Sequence, residues 1–254
     1  MKRRRGSVST FALGTMGLAI VVVVWAVVNA SGTVSERTLP SPATTFDRFA
    51  RDVTSADFLR VHLPTTAWTA FLAVVIGMAA GVLVGVILFR WHSLYRLLRP
   101  YIAFANAAPR IALIAPLVLA FGTGVASKMA LGVSLTIFVA LLAAYGALAA
   151  VDTSLAQSVR CLGGTEIDVW RYVMLRAIVP NLIATLRIVV SLGLLAAVAG
   201  EMIVSEAGIG WLIARRGAVV DIAGVFSMLV VLALLAALLN ALIDILARQA
   251  TKWT

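Results

Sequence analysis

The 254-residue chain is 62% hydrophobic and only 13% charged, with a mean hydropathy of +1.03. A soluble domain carries roughly 25% charged and about 45–50% apolar residues. The surplus is gathered in long apolar blocks, which excludes a soluble domain and describes an all-α, polytopic membrane protein. The net charge of +10 comes from short basic clusters between apolar runs. That is the positive-inside pattern and not the continuous basic face of a nucleic-acid-binding protein. The lone Cys161 excludes an internal disulfide and a cysteine-based zinc site. His62 and His92 are separated by an apolar run and form no metal-ligand pair.

In chain order, Lys2-Arg3-Arg4-Arg5 precedes an apolar run from Phe11 to about Val28. A signal peptide is the alternative here, with Val28-Asn29-Ala30 as its cleavage site. The run is longer than the usual ~7–15-residue signal core, so it reads as a first span entering from the cytoplasm. Residues 31–63 are polar, turn at Leu39-Pro40-Ser41-Pro42, and then place Phe46, Phe49 and Val53 at helical spacing. That spacing predicts a short amphipathic helix on the outer membrane surface. Thr65 to Phe89 is a second span with Trp68 and Trp91 as interfacial anchors. Its Gly77, Gly81 and Gly85 form a tandem small-residue face that lets another helix approach closely.

A third span runs from Pro100 to Phe121, interrupted by Pro109 and Pro116. Arg110 in its middle lines a cavity, or it anchors the inner interface; the text leaves both open. Met129 to Val151 is a fourth span. The thirty residues from Asp152 to Asn181 then alternate polar and apolar positions at helical spacing, with a break near Gly163-Gly164. A mere connection between spans needs far fewer residues, so this segment offers a surface to something outside the membrane. Asn181 to Val204 is a fifth span with Glu201 near its end, and Ile222 to Leu246 a sixth. Glu201 contacts substrate, pairs with a basic residue such as Arg215 or Arg216, or caps the outer end.

With both termini inside, thirteen Lys and Arg fall on the cytoplasmic side and seven outside, with Arg110 unassigned. The bias favours six spans and two cytoplasmic termini.

Several of these stretches resemble the inner-membrane permease subunits of ABC importers. Those subunits carry a cytoplasmic EAA loop: Glu-Ala-Ala, three residues, Gly, nine residues, Ile-x-Leu-Pro. Anchored on Gly163, this chain has Gln157-Ser158-Val159, Gly163, and Val173-Met174-Leu175-Arg176, with Pro180 following. Gln157 and Arg176 depart from the pattern. Leu39-Pro40-Ser41-Pro42, the run from Pro109 to Leu117, Phe121-Gly122-Thr123-Gly124, Ser127-Lys128, and Gly200-Glu201-Met202 followed by Gly208-Ile209-Gly210 look like the nitrate, sulfonate and taurine branch.

The resemblance implies a type I ABC importer (MetI-like) permease fold. Residues 1–63 would form an N-terminal helix and outer segment, and residues 64–254 a permease core. It implies a permease homodimer in the bacterial inner membrane, a cytosolic ABC ATPase dimer, and a periplasmic or lipid-anchored solute-binding protein. The ATPase-coupling surface would comprise Gln157, Ser158, Val159, Cys161, Leu162, Gly163, Gly164 and Trp170. Arg110 and Glu201 would be candidates for the substrate pathway. The substrate class would be a small anion such as a sulfonate, taurine or nitrate, or a thiamine-pathway pyrimidine.

The chain has no Gly-x-x-x-x-Gly-Lys-Ser/Thr loop, so ATP would be bound by the partner ATPase, with no cofactor, metal or catalysis expected in this chain. No Ser/His/Asp set presents itself inside a span. An ion-coupled secondary carrier is the alternative; it calls for ionisable residues along the spans and a repeated hydropathy pattern, neither of which is found.

Overall fold

The computed structural model describes residues 4–250. Lys2, Arg3, Lys252 and Trp253, which enter the sequence argument, lie outside the described residues. Among the described residues every regular element is helical. Five stretches are long and apolar enough to cross a membrane, and a bent pair of helices makes a sixth.

The first helix, α1 (Arg4–Ala30), contains the apolar window Leu13–Ala30. Trp25 near its end donates its indole N–H to the Pro40 carbonyl at 3.0 Å, and Asn29 donates to the Leu39 carbonyl at 2.8 Å. The Leu39-Pro40 turn is thus folded back onto α1. Helix α2 (Pro42–Thr54) follows, with Pro42 in its first turn and the Ser41 hydroxyl accepting the Thr44 N–H at 3.1 Å.

The expected surface placement of α2 is incomplete. Its Phe49 and Val53 pack on a cluster formed by Phe58, Ile209, Ile213, Met228 and Val231, and its Asp52 is buried against the later helices. Apolar packing and buried charge partners both tie it to the later helices.

One wide turn (Phe58–His62) leads into α3 (Leu63–Arg90), the second span. Helix α6 (Val125–Ala149) lies between α3 and α9 (Leu175–Ile203), and these three form the centre of the bundle. The α3–α6 contact is made by the glycine face. A Cβ at Gly77 would overlap the Thr136 side chain, and one at Gly81 would overlap the Ile137 carbonyl. One at Gly85 would come within 2.7 Å of the Leu141 carbonyl oxygen. The Thr136 hydroxyl reaches the Ala73 carbonyl at 3.1 Å across the same seam.

The third span differs from a single interrupted helix. Helix α4 (His92–Ala107) begins before Pro100 and carries it internally. The chain then bends by 87° into a short 3₁₀ turn (Arg110–Leu113) and α5 (Ile114–Phe121). Pro109 stands at the break, where its absent N–H leaves no helical bond to lose. Pro100 is tolerated because the carbonyl it leaves without a helical partner, that of Arg96, belongs to an exposed residue of α4.

After α6 come α7 (Thr153–Cys161), a turn, and α8 (Glu166–Val169), which passes through a wide turn at Trp170–Met174 directly into α9. The fifth span therefore starts earlier than Asn181, and Pro180 does not interrupt it. Helix α10 (Ile209–Ala218) turns the chain back, and α11 (Ile222–Ala250) closes the bundle.

The glycine seam predicts a graded response. Gly81→Ala should lower stability by about 1–3 kcal/mol through overpacking, and Gly81→Leu by more. Gly146→Ala, whose Cβ would meet nothing within 4 Å, should stay within about 0.5 kcal/mol of the parent. Thermal unfolding of the purified protein in detergent reads this order; equal midpoints for the Gly81 and Gly146 variants would refute the close-approach account.

Candidate functional site

The segment between α6 and α9 is built by local capping. Asp152 accepts the Ser154 N–H at 2.8 Å and starts α7. The far end closes in a Schellman turn: the Gly164 N–H donates to the Val159 carbonyl at 2.9 Å, and the Gly163 N–H to the Arg160 carbonyl at 3.0 Å.

Gly163 has φ +84, the left-handed conformation, with open space where a Cβ would stand. Gly164 has the opposite constraint, since a Cβ there would lie 2.6 Å from a Val159 methyl. The pair divides the turn between them. Thr165 and Asp168 then cap α8 reciprocally, with the Thr165 N–H donating to Asp168 at 2.8 Å. Arg160 spans the turn to Glu166 through contacts of 2.7 and 3.2 Å, both groups exposed, so the bridge contributes little.

This segment has two faces. Ala156 and Val169 are buried beneath it. Trp170 packs on the buried cluster of Ala144, Ala147, Leu148 and Ile178, edge-on to Phe89 at 6.1 Å. On the other side Leu162 is 89% exposed and Ile167 76%, with Leu155, Gln157, Ser158 and Cys161 also exposed and Val159 half-buried. Large apolar side chains are thus held open by rigid caps.

Arg110 is placed by the break in the third span and is only 7% exposed. Its guanidinium donates to the Ser134 and Leu135 carbonyls at 2.5 and 3.1 Å, to the Ala105 carbonyl at 3.3 Å and to Asn106 Oδ1 at 2.7 Å. It also lies 4.4 Å from the Phe138 ring centroid. Residues 134 and 135 are near the middle of α6, far from either end. No carboxylate among the described residues forms an ion pair with Arg110. Its charge is solvated by dipoles, beside an open cavity of about 360 Å³ lined also by Asn106, Leu135, Val139 and Leu192.

Glu201 is 1% exposed, at the end of α9. Its Oε2 accepts the Thr66 hydroxyl at 2.8 Å and the Gly210 N–H at 2.9 Å, while Oε1 has no hydrogen-bond partner among the described groups. The buried Lys128, bonded to Ser205 at 2.8 Å, supplies the nearby positive charge. Thr66 also accepts the Ile209 N–H at 2.8 Å, and His62, stacked on Trp211, accepts the Gly208 N–H at 3.1 Å. Together these groups lock the turn before α10 onto α3 and α9. The pairing of Glu201 with Arg215 or Arg216 is not formed: Arg215 lies over the Trp211 ring and Arg216 is engaged by Asp52. Sequence reasoning passed over Lys128, Thr66 and His62 as partners. The signal was present as His62 and Thr66 one helical turn apart, facing the Gly208-Ile209-Gly210 turn.

A second network ties α2 to the helices that follow it. Asp52 on α2 binds Arg216 through two contacts of 2.7 Å and accepts the Ser227 hydroxyl at 2.6 Å, while Arg48 holds Asp221 at 2.7 Å. Burial pushes the Asp52 carboxyl up, but the hydrogen bonds from Arg216 and Ser227 and the charges of Arg216 and Arg48 outweigh it. The net effect holds the group below the usual carboxylate range.

What fold and site define is a multi-span helical membrane protein with a rigidly capped loop at one end and a polar break within a span. A family model described as the binding-protein-dependent transport system inner membrane component matches residues 73–252, and the chain belongs to this family, as a permease subunit of an ABC importer. It is 26% identical over 249 residues to the taurine transport system permease protein of Escherichia coli (strain K12), covering 96% of this chain and 90% of that one. It is also 26% identical over 239 residues to the formylaminopyrimidine transport permease protein of Halalkalibacterium halodurans, covering 94% of each. Among solved structures, an inward-facing MetNI methionine ABC transporter chain superposes with a TM-score of 0.65 at 20% identity. That match covers 78% of this chain and 99% of that one, and supports the MetI-like fold.

The Asp52 network carries a pH prediction. A carboxyl whose folded pKa is lowered contributes stability above its unfolded value, near ~3.9, and that contribution is lost as pH falls through the lower folded value. Removing one partner of a buried pair costs about 3–5 kcal/mol. Asp52→Ala should therefore unfold at lower temperature than the parent at pH 7, with the gap closing only below about pH 4. A gap independent of pH down to 3 would show that the carboxylate charge is not what holds α2.

Proposed function

We propose that the chain forms the translocation pathway of an importer for a small organic or inorganic anion, such as a sulfonate, taurine or nitrate. A thiamine-pathway pyrimidine is the second reading, supported by the formylaminopyrimidine relative. A periplasmic or lipid-anchored binding protein delivers the solute, two copies of the permease pair, and a cytosolic ABC ATPase dimer binds and hydrolyses ATP. The observation that carries the coupling role is the two-faced loop. Trp170 and Ala156 tie it to the ends of α3, α6 and α9, and Leu155, Leu162 and Ile167 remain open for a partner. Motion imposed on the outer face would reach the spans through the buried one. Membership of a binding-protein-dependent family sets aside the secondary-carrier reading.

The anion reading is supported by Arg110, a buried cation without a carboxylate partner beside an open cavity. Glu201 we assign to closure of the outer end, because its contacts are all internal. The exposed apolar side chains of the bent arm, Tyr101, Phe104, Leu119 and Phe121 among them, suit burial against the second permease copy.

Orientation follows from the charge bias, with α7 cytoplasmic and α2 outside. In a Cys161→Ser background, a cysteine at Thr44 should react with an impermeant thiol reagent in intact cells, and one at Ser154 only after lysis. Labelling at 154 alone would invert the topology.

Coupling and translocation separate in one reconstituted assay of complex mass, solute-stimulated ATP hydrolysis and uptake. Gly163→Trp meets no neighbour but must hold the left-handed φ of +84, so its strain falls on the loop turn, while the spans and ATPase co-purification should survive. The bulk stands where the partner docks, and stimulated hydrolysis should fall at least about tenfold, the loss of ~1.4 kcal/mol of coupling. Arg110→Gln should leave the complex assembled but reduce anion uptake. Normal stimulated hydrolysis in Gly163→Trp would remove the loop from the coupling path, and normal uptake in Arg110→Gln would remove Arg110 from the solute path.

A further inference from the structure

The exposed side of α3 carries Trp68, Phe71, Val75, Leu83 and Ile87, and Trp91 stands just past its end, all exposed. At ~1.5 Å per residue the two tryptophans stand roughly 34 Å apart along the helix, close to the thickness of a hydrocarbon core with an interface at each end. Tryptophan favours those interfaces. The pair therefore sets the depth of α3 in the bilayer and places Arg90 and Trp91 at headgroup level on the side of α7.

At that level a cavity of about 310 Å³ opens between α3 and the wide turn before α9, lined by Val86, Ile87, Arg90, Trp91 and Trp170. Its floor is apolar and its rim is cationic. Among the described residues Arg90 has no hydrogen bond or ion pair, and neither indole N–H is bonded. Arg96 and Arg99, one and two turns along α4, add positive charge without a paired acid. The acid whose charge Arg90 does feel, Glu166, is already bound by Arg160. Three unused donors over an apolar floor, at the depth of lipid phosphates, form a site of definite chemistry.

We propose that this cavity binds an anionic glycerophospholipid of the inner leaflet. The phosphate sits against the Arg90 guanidinium and within reach of the indole N–H groups. The glycerol fills the cavity over Val86 and Ile87, and an acyl chain follows the exposed stripe past Leu83. Charge selects the headgroup, because a zwitterionic lipid would bring its own cation against Arg90, Arg96 and Arg99. Trp170 forms the far wall, so the bound lipid touches the side chain that seats the cytoplasmic loop. The site is defined without reference to substrate or to ATPase docking.

The test uses the purified full chain, titrated in mild detergent with phosphatidylglycerol or phosphatidylcholine and read by native mass spectrometry. One basic residue near an anionic lipid is worth ~1 kcal/mol, or about fivefold in affinity. The parent should bind phosphatidylglycerol at least about fivefold more tightly than phosphatidylcholine. Arg90→Gln should bring the two within about twofold, while Arg90→Lys, which keeps the charge and guards against a folding defect, should retain the preference. Millimolar inorganic phosphate should fail to displace the lipid, since it lacks the apolar contacts. Equal binding of the two lipids by the parent, an unchanged preference in Arg90→Gln, a preference lost in Arg90→Lys, or displacement by inorganic phosphate would each overturn the proposal.

Discussion

Everything in this bundle depends on the backbone contact between α3 and α6. Lipid tails are as apolar as leucine, so burying apolar side chains does not drive helices together in a membrane; close packing and hydrogen bonding must do so. Three glycines, one turn apart, remove the side chains that would keep the two backbones separated, and Ala140 and Ala144 stand opposite them. The seam leaves no room for side-chain rearrangement, which makes α3 and α6 one rigid unit. Helix α9 then packs on both, with Gly193 against Val74 and Gly200 against Lys128.

The two ends of that unit are finished differently. At the end nearest α2 and α10 the stabilising groups are buried and ionic, and each is held by partners on other helices. Glu201 draws the turn before α10 onto α3, and Asp52 draws α2 onto α10 and α11. Losing one partner there would leave a charge without compensation in a region of low dielectric. At the end nearest α7 the contacts are aromatic and apolar. Phe89, Tyr145 and Trp170 pack around the point where α3, α6 and α9 emerge, and Tyr95 stacks on Tyr145 at 3.8 Å. Such contacts tolerate small displacements better than a two-point ion pair does. Under the coupling role proposed above, that would suit an end that receives motion from outside the membrane.

Much of this was legible in the text of the chain, because spans and caps are local. Apolar runs of twenty or so residues mark spans wherever they occur. Gly163-Gly164 after a helical pattern marks a turn, and the glycine triplet marks a close face. What the text withheld was long-range. Glu201 finds Thr66, Asp52 finds Arg216, and Arg110 finds the carbonyls of residues 134 and 135, all over separations that no periodicity encodes. The 87° bend was half legible: Pro109 announces a break, but whether a broken span stays straight depends on what its neighbour offers. Here the offer is a row of carbonyls on α6. The placement of α2 was only partly legible for a related reason. An apolar stripe at helical spacing predicts contact with something apolar, but it does not say whether that is lipid or protein.

The bent arm is where the physical constraints are weakest. Helix α4 buries no residue, α5 buries only Ile114, and the turn between them buries only Arg110. The arm is therefore held to α6 by one apolar contact region and one guanidinium. The carbonyls that Arg110 uses on α6 belong to a regular helix and have N–H partners of their own. Losing the arginine would not leave those acceptors bare. The guanidinium, by contrast, needs acceptors wherever it is buried. If an anion enters the adjacent cavity, as proposed above, its oxygens can take over donors now spent on the Ser134 and Leu135 carbonyls, and no polar group is orphaned in the exchange. The tie between arm and core would then loosen in step with solute arrival. A carboxylate partner for Arg110 would have prevented this, since a buried acid left behind would oppose the exchange. On that proposal, the lack of such a partner among the described residues is what would let solute pass at the break.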